Sequence, residues 1–359
     1  MQLRIPGPTP CPPEVLQAMS KQMINHRGKE FSELIHDITA KLKQVFQTKA
    51  DVLLLTASGT GGMEAAIVNT LSPGDKVLST SNGVFGDRFA EIAELYGAEV
   101  KRLNFEWGKP ADPDVIRQAL KADRKIKAVL ATHNETSTGV TNDIKTISAI
   151  AKEFDKLILV DAISSLSCIN LPADDWQCDV IITASQKGWM VPPGLSMVSF
   201  NKRAWQAYAQ AKMPRCYWDF TRAKNFLERG QTPWTPAVSI CYALAASLDL
   251  ILAEGLDNVF ARHAQVAQTA RDGIKSLGFC LFPEQKYASN TVTAVKVARN
   301  TSVDKLRQIL RDEYDVVLAG GQRKLSGKIF RIGHLGWVSQ DDIKVVLQAL
   351  KRALPRASS

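Results

Sequence analysis

Seven short apolar runs punctuate the first part of the chain: VLLLT from residue 52, KVLS from 76, EVKRL from 99, KAVLAT from 127, LILVD from 157, DVIITA from 179 and LSMVSF from 195. Their length and β-branched content suit strands covered on both faces. Between most of them apolar residues recur at spacings near three and four, as in DRFAEIAELYG at 87–97 and TISAIAKEF at 146–154. That is the helical period. Strand then helix, repeated, predicts an α/β domain with a seven-stranded, mostly parallel sheet and helices on both faces. The last two runs are joined instead by SQKGWMVPPG, which has little helical pattern.

After about residue 236 the texture changes. AVSICYALAASLDLILAEGL predicts one long helix ended by Gly255, and LDNVFARHAQVAQTARDGIKSLG another ended by Gly278. TVTAVKV from 291, SVDKLRQILRDEY, VVLA from 316, KIFRI from 328 and a final helix from Gln340 complete a smaller α+β unit. The division expected is an N-terminal segment, 1–20, that contributes to the active site, a large domain, 21–236, and a linking helix with a small C-terminal domain, 237–359.

In such sheets ligands collect beyond the carboxyl ends of the strands, so the polar residues there carry the chemistry. TASGTGGMEAAIVN at 56–69 runs from a strand into an apolar helix, where free backbone N–H groups suit a phosphate. Close packing alone also calls for such glycines. Asp161 ends the apolar strand LILVD, a costly place for a carboxylate without a partner; capping the next segment is the plainer role. THNETSTGV at 132–140 places polar residues just past another buried strand. Lys187 stands at the tip of IITASQKG, where a lysine can also simply mark the strand's exit. Phosphate cradle, carboxylate and amine on one sheet edge together fit one cofactor, pyridoxal phosphate: an anion site, an acid for its ring nitrogen and an amine for a Schiff base.

Composition narrows the rest. Net charge is +9, yet the 45 basic residues are spread among 36 acidic ones without the clustering and interleaved aromatics of a nucleic-acid surface. The six cysteines make no C-x-x-C, no zinc spacing is present, and no apolar run approaches a membrane span. Prolines stand where a signal peptide would have its apolar core, and the ending RASS is not a peroxisomal signal. Cytoplasm is the expected compartment.

PGPTPCPPEVLQAM, SGTGGMEAAIVN, GDKVLSTSNGVFGDR, HNETSTGV, LVDAISSL, SQKGWMVPPG and FRIGHLG, in this order, resemble the class V aminotransferases, in particular the alanine–glyoxylate and serine–glyoxylate aminotransferase group. The resemblance implies a type I PLP-dependent transferase fold and a homodimer with shared active sites. It implies Lys187 as the Schiff-base lysine and Asp161 as the partner of the pyridine nitrogen. Thr60, Gly61, Gly62 and Gln186 would surround the phosphate, Thr136 would reach the ring hydroxyl, Phe85 would stack on the ring, and Ile163 would also bind the cofactor. Thr232 and Thr235 match a segment that approaches the neighbouring subunit's phosphate, and Arg331 matches the arginine that holds the substrate carboxylate. Relatives often carry Trp at Phe85, His at Gly62 and in some cases Tyr at Thr232.

The activity implied is transfer of an amino group from alanine, serine or aspartate to a 2-oxo acid such as glyoxylate or pyruvate. The donor's side-chain pocket is placed near Pro8, Thr9 and Trp189. Two alternatives stand beside this. Cysteine desulfuration needs a reactive thiol, and Cys241 and Cys280 lie in apolar surroundings. Some relatives are labelled small subunits of a soluble hydrogenase, whose chemistry needs paired cysteine ligands that this chain lacks. His26 and Arg27 offer extra basic groups for a phosphorylated substrate, but read more simply as a solvated loop.

Overall fold

In the computed structural model, residues 1–298 and 301–357 are described. The chain begins with β1 (Gln2–Arg4), α1 (Pro13–Met19) and α2 (Lys29–Phe46). It continues through β2 (Asp51–Ala57), α3 (Gly59–Thr70), β3 (Lys76–Ser81), α4 (Val84–Leu95), β4 (Glu99–Asn104), α5 (Pro113–Ala122) and β5 (Ala128–Thr132). A tight ladder, β6 (Asn134–Glu135) with β7 (Val140–Thr141), leads to α6 (Ile144–Glu153), β8 (Leu157–Asp161), β9 (Val180–Ala184) and β10 (Gly194–Phe200).

All seven apolar runs are strands of one sheet, ordered β2-β10-β9-β8-β5-β3-β4. Only β10 runs against its neighbours. Because successive side chains point to opposite faces, each strand feeds two cores. Val129, Ile158, Val160 and Ile181 meet α2, α5 and α6 on one face, while Leu130, Leu159 and Ile182 meet α3 and α4 on the other.

Two short helices, α7 (Lys202–Tyr208) and α8 (Phe220–Leu227), precede the long α9 (Val238–Glu254) and α10 (Leu256–Ser276). Gly255, at φ 82°, turns the chain between the last two, whose axes diverge by 88°. Among the described residues no single helix is long and apolar enough to cross a membrane. Beyond them come β11 (Cys280–Leu281), β12 (Val292–Lys296), α11 (Val303–Tyr314), β13 (Val316–Gly320), β14 (Ile329–Gly333) and α12 (Gln340–Ala357). These strands form a second sheet, β1-β13-β14-β12-β11, with its own core against α10, α11 and α12. The first strand of the chain thus lies in the last sheet, parallel to β13. That pairing carries Pro6 to Thr9 back across the molecule to the large sheet, where Thr9 N donates to Gln186 O at 3.2 Å.

Candidate active site

Lys187 lies in the loop between β9 and β10, on an edge held by Met190 N to Lys187 O (3.1 Å) and Thr9 Oγ1 to the same carbonyl (2.9 Å). Its Nζ donates to Pro6 O at 2.5 Å. Gly7 makes that approach possible: at φ +122°, any Cβ there would sit 2.7 Å from both Cδ and Nζ of Lys187. Burial, with Arg331 and Arg88 adding repulsion against the pull of Asp161, lowers the amine to about 8. An ammonium in such a place gives up its proton far more readily than a surface lysine.

Asp161 closes β8, next to Thr132 of β5 in parallel register, so both side chains leave the same face. Its Oδ1 accepts from Ile163 N at 2.9 Å, and Oδ2 has no hydrogen-bond partner among the described residues. Burial raises this carboxyl to about 7; the Ile163 N–H opposes that, the nearby Glu135 reinforces it, and Lys187 and Arg88 oppose it.

The run 132–140 is no solvated loop: all nine residues are buried. Glu135 organises it. Its Oε2 accepts from Phe85 N and Gly86 N, both at 3.0 Å, and its Oε1 from Ser137 N (3.0 Å) and Ser137 Oγ (2.5 Å). The glutamate therefore caps α4 from another part of the chain and fixes where Phe85 emerges. Burial raises its pKa, and these donors counter it. Thr136 Oγ1 donates to Ser164 Oγ at 2.7 Å, while Thr136 O receives Arg331 Nη1 at 3.1 Å.

Arg331, on β14, is only 6% exposed. Its Nε donates to Gly320 O (2.9 Å) and Nη1 also to Gln322 Oε1 (3.2 Å), which leaves Nη2 without a hydrogen-bond partner among the described residues. Burial lowers the guanidinium to about 10, with Glu135 pulling the other way. One edge of a planar fork is thus pinned and the other is open to a carboxylate.

At the start of α3, Ser58 makes no side-chain cap, and the N–H groups of Gly59, Thr60 and Gly61 have no acceptor among the described residues. Gly62 differs. Its N–H is committed to Ser58 O at 3.3 Å, and a Cβ would run into Ser196 and Ile182. Its lack of a side chain is required by helix-to-sheet packing. At Gly61 a Cβ would lie 2.9 Å from Ala57 Cβ and Trp218 Cη2, so cradle and close packing coincide there. Ile163 packs against Gly59, and Gln186 Oε1 is buried without a partner.

Thr232 and Thr235 stand apart. Thr232 Oγ1 donates to Trp234 O at 2.7 Å, its carbonyl receives Arg27 Nη1 at 2.6 Å, and Thr235 is exposed. Within one chain no hydrogen bond among the described residues joins them to the cluster. Arg27 accordingly ties the 231–233 loop. Trp189 is fully buried, with Nε1 on Thr183 Oγ1 (2.9 Å) and its ring beside Phe46; it belongs to the core, not to a donor pocket. Thr9 backs the Lys187 loop and Pro8 is exposed. Cys241 is buried in α9, its thiol raised by burial to about 12, and Cys280 lies exposed on β11.

Glu135, Arg88 and Pro6 were not singled out from the sequence. Grooves exist elsewhere, such as one of about 490 Å³ at the amino ends of the strands, between Arg124, Lys156 and Arg203, but among the described residues they gather no comparable set of groups.

The family model for class-V aminotransferases matches residues 2–339. A protein of Anabaena cylindrica described as the 42 kDa subunit of a soluble hydrogenase is 44% identical over 99% of this chain and 93% of its own. The L-aspartate–glyoxylate aminotransferase of Paracoccus denitrificans is 38% identical, covering 92% of this chain and 85% of its own. Among solved structures, an alanine–glyoxylate aminotransferase from Nostoc sp. superposes with a TM-score of 0.95 at 30% identity, over 98% of this chain and 94% of that one.

Proposed function

The chain belongs to the class-V aminotransferases, and from that premise we propose that it is a cytoplasmic, homodimeric pyridoxal 5′-phosphate enzyme that moves the amino group of a small L-amino acid, alanine, serine or aspartate, to glyoxylate or pyruvate. The observation that carries the reading is the convergence on Lys187 of Asp161 and Arg331, one from the large sheet and one from the small.

The residues present fit the cofactor. Three N–H groups at the start of α3, without an acceptor among the described residues, suit its phosphate, and the side-chain N–H of Gln186, next to Lys187, would add a donor. Asp161 offers Oδ2 to an N–H and would be held ionised by it, and Phe85 supplies a flat wall anchored through Glu135. When bound, the cofactor supplies the electron-withdrawing ring that makes a donor's Cα–H acidic.

The chain's own groups do the rest. Arg331 orients the donor's α-carboxylate with its open edge. Lys187 Nζ, with its proton affinity lowered by burial, takes the proton from Cα and later returns it to the acceptor. Pro6 O, 2.5 Å from Nζ, holds the amine whenever it is released. Two half-reactions at one site give ping-pong kinetics.

The test is a panel of L-amino acids with glyoxylate, following glycine formation for each donor. The reading expects turnover with alanine, serine or aspartate that vanishes in Lys187→Ala; turnover retained in that variant would end it.

The name of the Anabaena relative offers a second reading, association with a redox partner. Among the described residues no three His, Cys, Asp or Glu side chains group to hold a metal, so that reading places the metal on another protein. Co-purification of the chain with an iron- or nickel-bearing partner protein would favour it.

A further inference from the structure

Arg88 is a half-buried guanidinium without a carboxylate partner among the described residues. It lies one turn after Phe85 on α4, its guanidinium carbon 5.0 Å from the centre of that ring, and Nη1 reaches Thr60 Oγ1 at 3.5 Å. Its sequence neighbour Asp87 is engaged elsewhere, by Ser81 Oγ (2.6 Å) and Arg323 (3.2 Å). The charge is felt in the site, since it bears on both Asp161 and Lys187.

A phosphate monoester brings roughly −1.5 to −2 charges at neutral pH. The donors at the start of α3, the Thr60 hydroxyl and the Gln186 amide are all neutral, and a dianion taken out of water without a cation is costly. Among the described residues, Lys187, Arg331 and Arg88 are cations that bear on the site. Lys187 turns its nitrogen to the cofactor's aldehyde and not to its phosphate, and Arg331 is held by Gly320 O and Thr136 O. Arg88 is the one left over, beside Thr60.

Resting on the functional reading above, we infer that Arg88 is the cation that pairs with the cofactor's phosphate in this chain. Its other edges are free to meet an anion held by the α3 N–H groups, and the Phe85 ring beneath keeps the guanidinium in place.

The experiment compares wild type, Arg88→Met and Arg88→Lys by absorbance titration with pyridoxal phosphate and, separately, with pyridoxal, which has no phosphate. The expected result is that Arg88→Met weakens pyridoxal phosphate by roughly ten- to a hundredfold, leaves pyridoxal unchanged, and is partly rescued by Arg88→Lys. Inorganic phosphate should tighten pyridoxal in wild type and not in Arg88→Met. Equal weakening of both ligands would overturn the assignment and leave Arg88 acting only through the Phe85 wall. Unchanged pyridoxal phosphate with a raised KM for aspartate but not alanine would overturn it in favour of a donor-side carboxylate. A wild type that takes up no pyridoxal phosphate at all would overturn the functional reading, and the assignment with it.

Discussion

Two buried aspartates stand at opposite ends of the large sheet. Asp179, just before β9 at the amino edge, is fully buried and fully answered: Lys152 pairs with it, Asn201 Nδ2 donates at 3.0 Å, Ile158 N at 2.8 Å, and Arg203 approaches to 3.5 Å. Asp161, at the carboxyl edge of β8, is 3% exposed and has one N–H on one oxygen. Burial is common to both; compensation is not. A carboxylate wrapped in donors is part of the architecture, whereas one left half-answered beside Lys187 and Arg331 holds electrostatic stress that a ligand can relieve. The same sheet separates the two by its direction, with chemistry gathered where the strands end.

The sharpest way to break this comparison is at Lys187. Lys187→Ala should cut transamination by at least a hundred- to ten-thousandfold, the scale of a lost proton carrier, with little change in Tm. Next, Asp179→Ala should cost about 3–5 kcal/mol by leaving Lys152 without its partner, read as a lower midpoint in urea. Activity per folded molecule should survive.

Asp161→Asn should do the reverse to the cofactor-free protein. The carboxyl's folded pKa, about 7, lies above its unfolded value, so wild type binds more protons folded and loses stability as pH rises from about 4 to 7. Asparagine removes that loss. The variant should gain on wild type across the window, by at most about 4 kcal/mol above pH 7, while its transamination falls. Equal pH dependence of the two in denaturant midpoints would remove the distinction between the aspartates. The smallest effect is a shift in titration. In cofactor-free protein, acylation of Lys187 followed by peptide mass mapping should be half-maximal near pH 8, below that of surface lysines, because only the neutral amine reacts.

Much of this was legible from residue patterns. The apolar runs were short and, apart from the edge strand β4, largely buried, conditions under which a strand has few alternatives, and Asp161 and Lys187 lie at or just past the ends of neighbouring strands β8 and β9, which run parallel. Other features depended on distance along the chain. Glu135 in a polar run looks like loop, and only the arrival of α4, 50 residues away in sequence, makes it a cap. Arg88 looks like a solvated helix face until α3 packs alongside.

QLR is too short to read as a strand without β13 beside it. Trp189 misled by adjacency to the lysine: Ser247 Oγ holds its carbonyl and Thr183 its indole, so the ring turns inward. Thr232 and Thr235 remain proposals about a second copy of the chain.

The central claim, that the carboxyl edge of the sheet is a site for covalent amino-group transfer at Lys187, is tested most directly by borohydride reduction of the protein saturated with pyridoxal phosphate, followed by peptide mass mapping. The account predicts a pyridoxyl phosphate group on Lys187 that disappears when alanine, serine or aspartate is added before reduction. A label on another lysine, or one on Lys187 that no amino acid displaces, would contradict it.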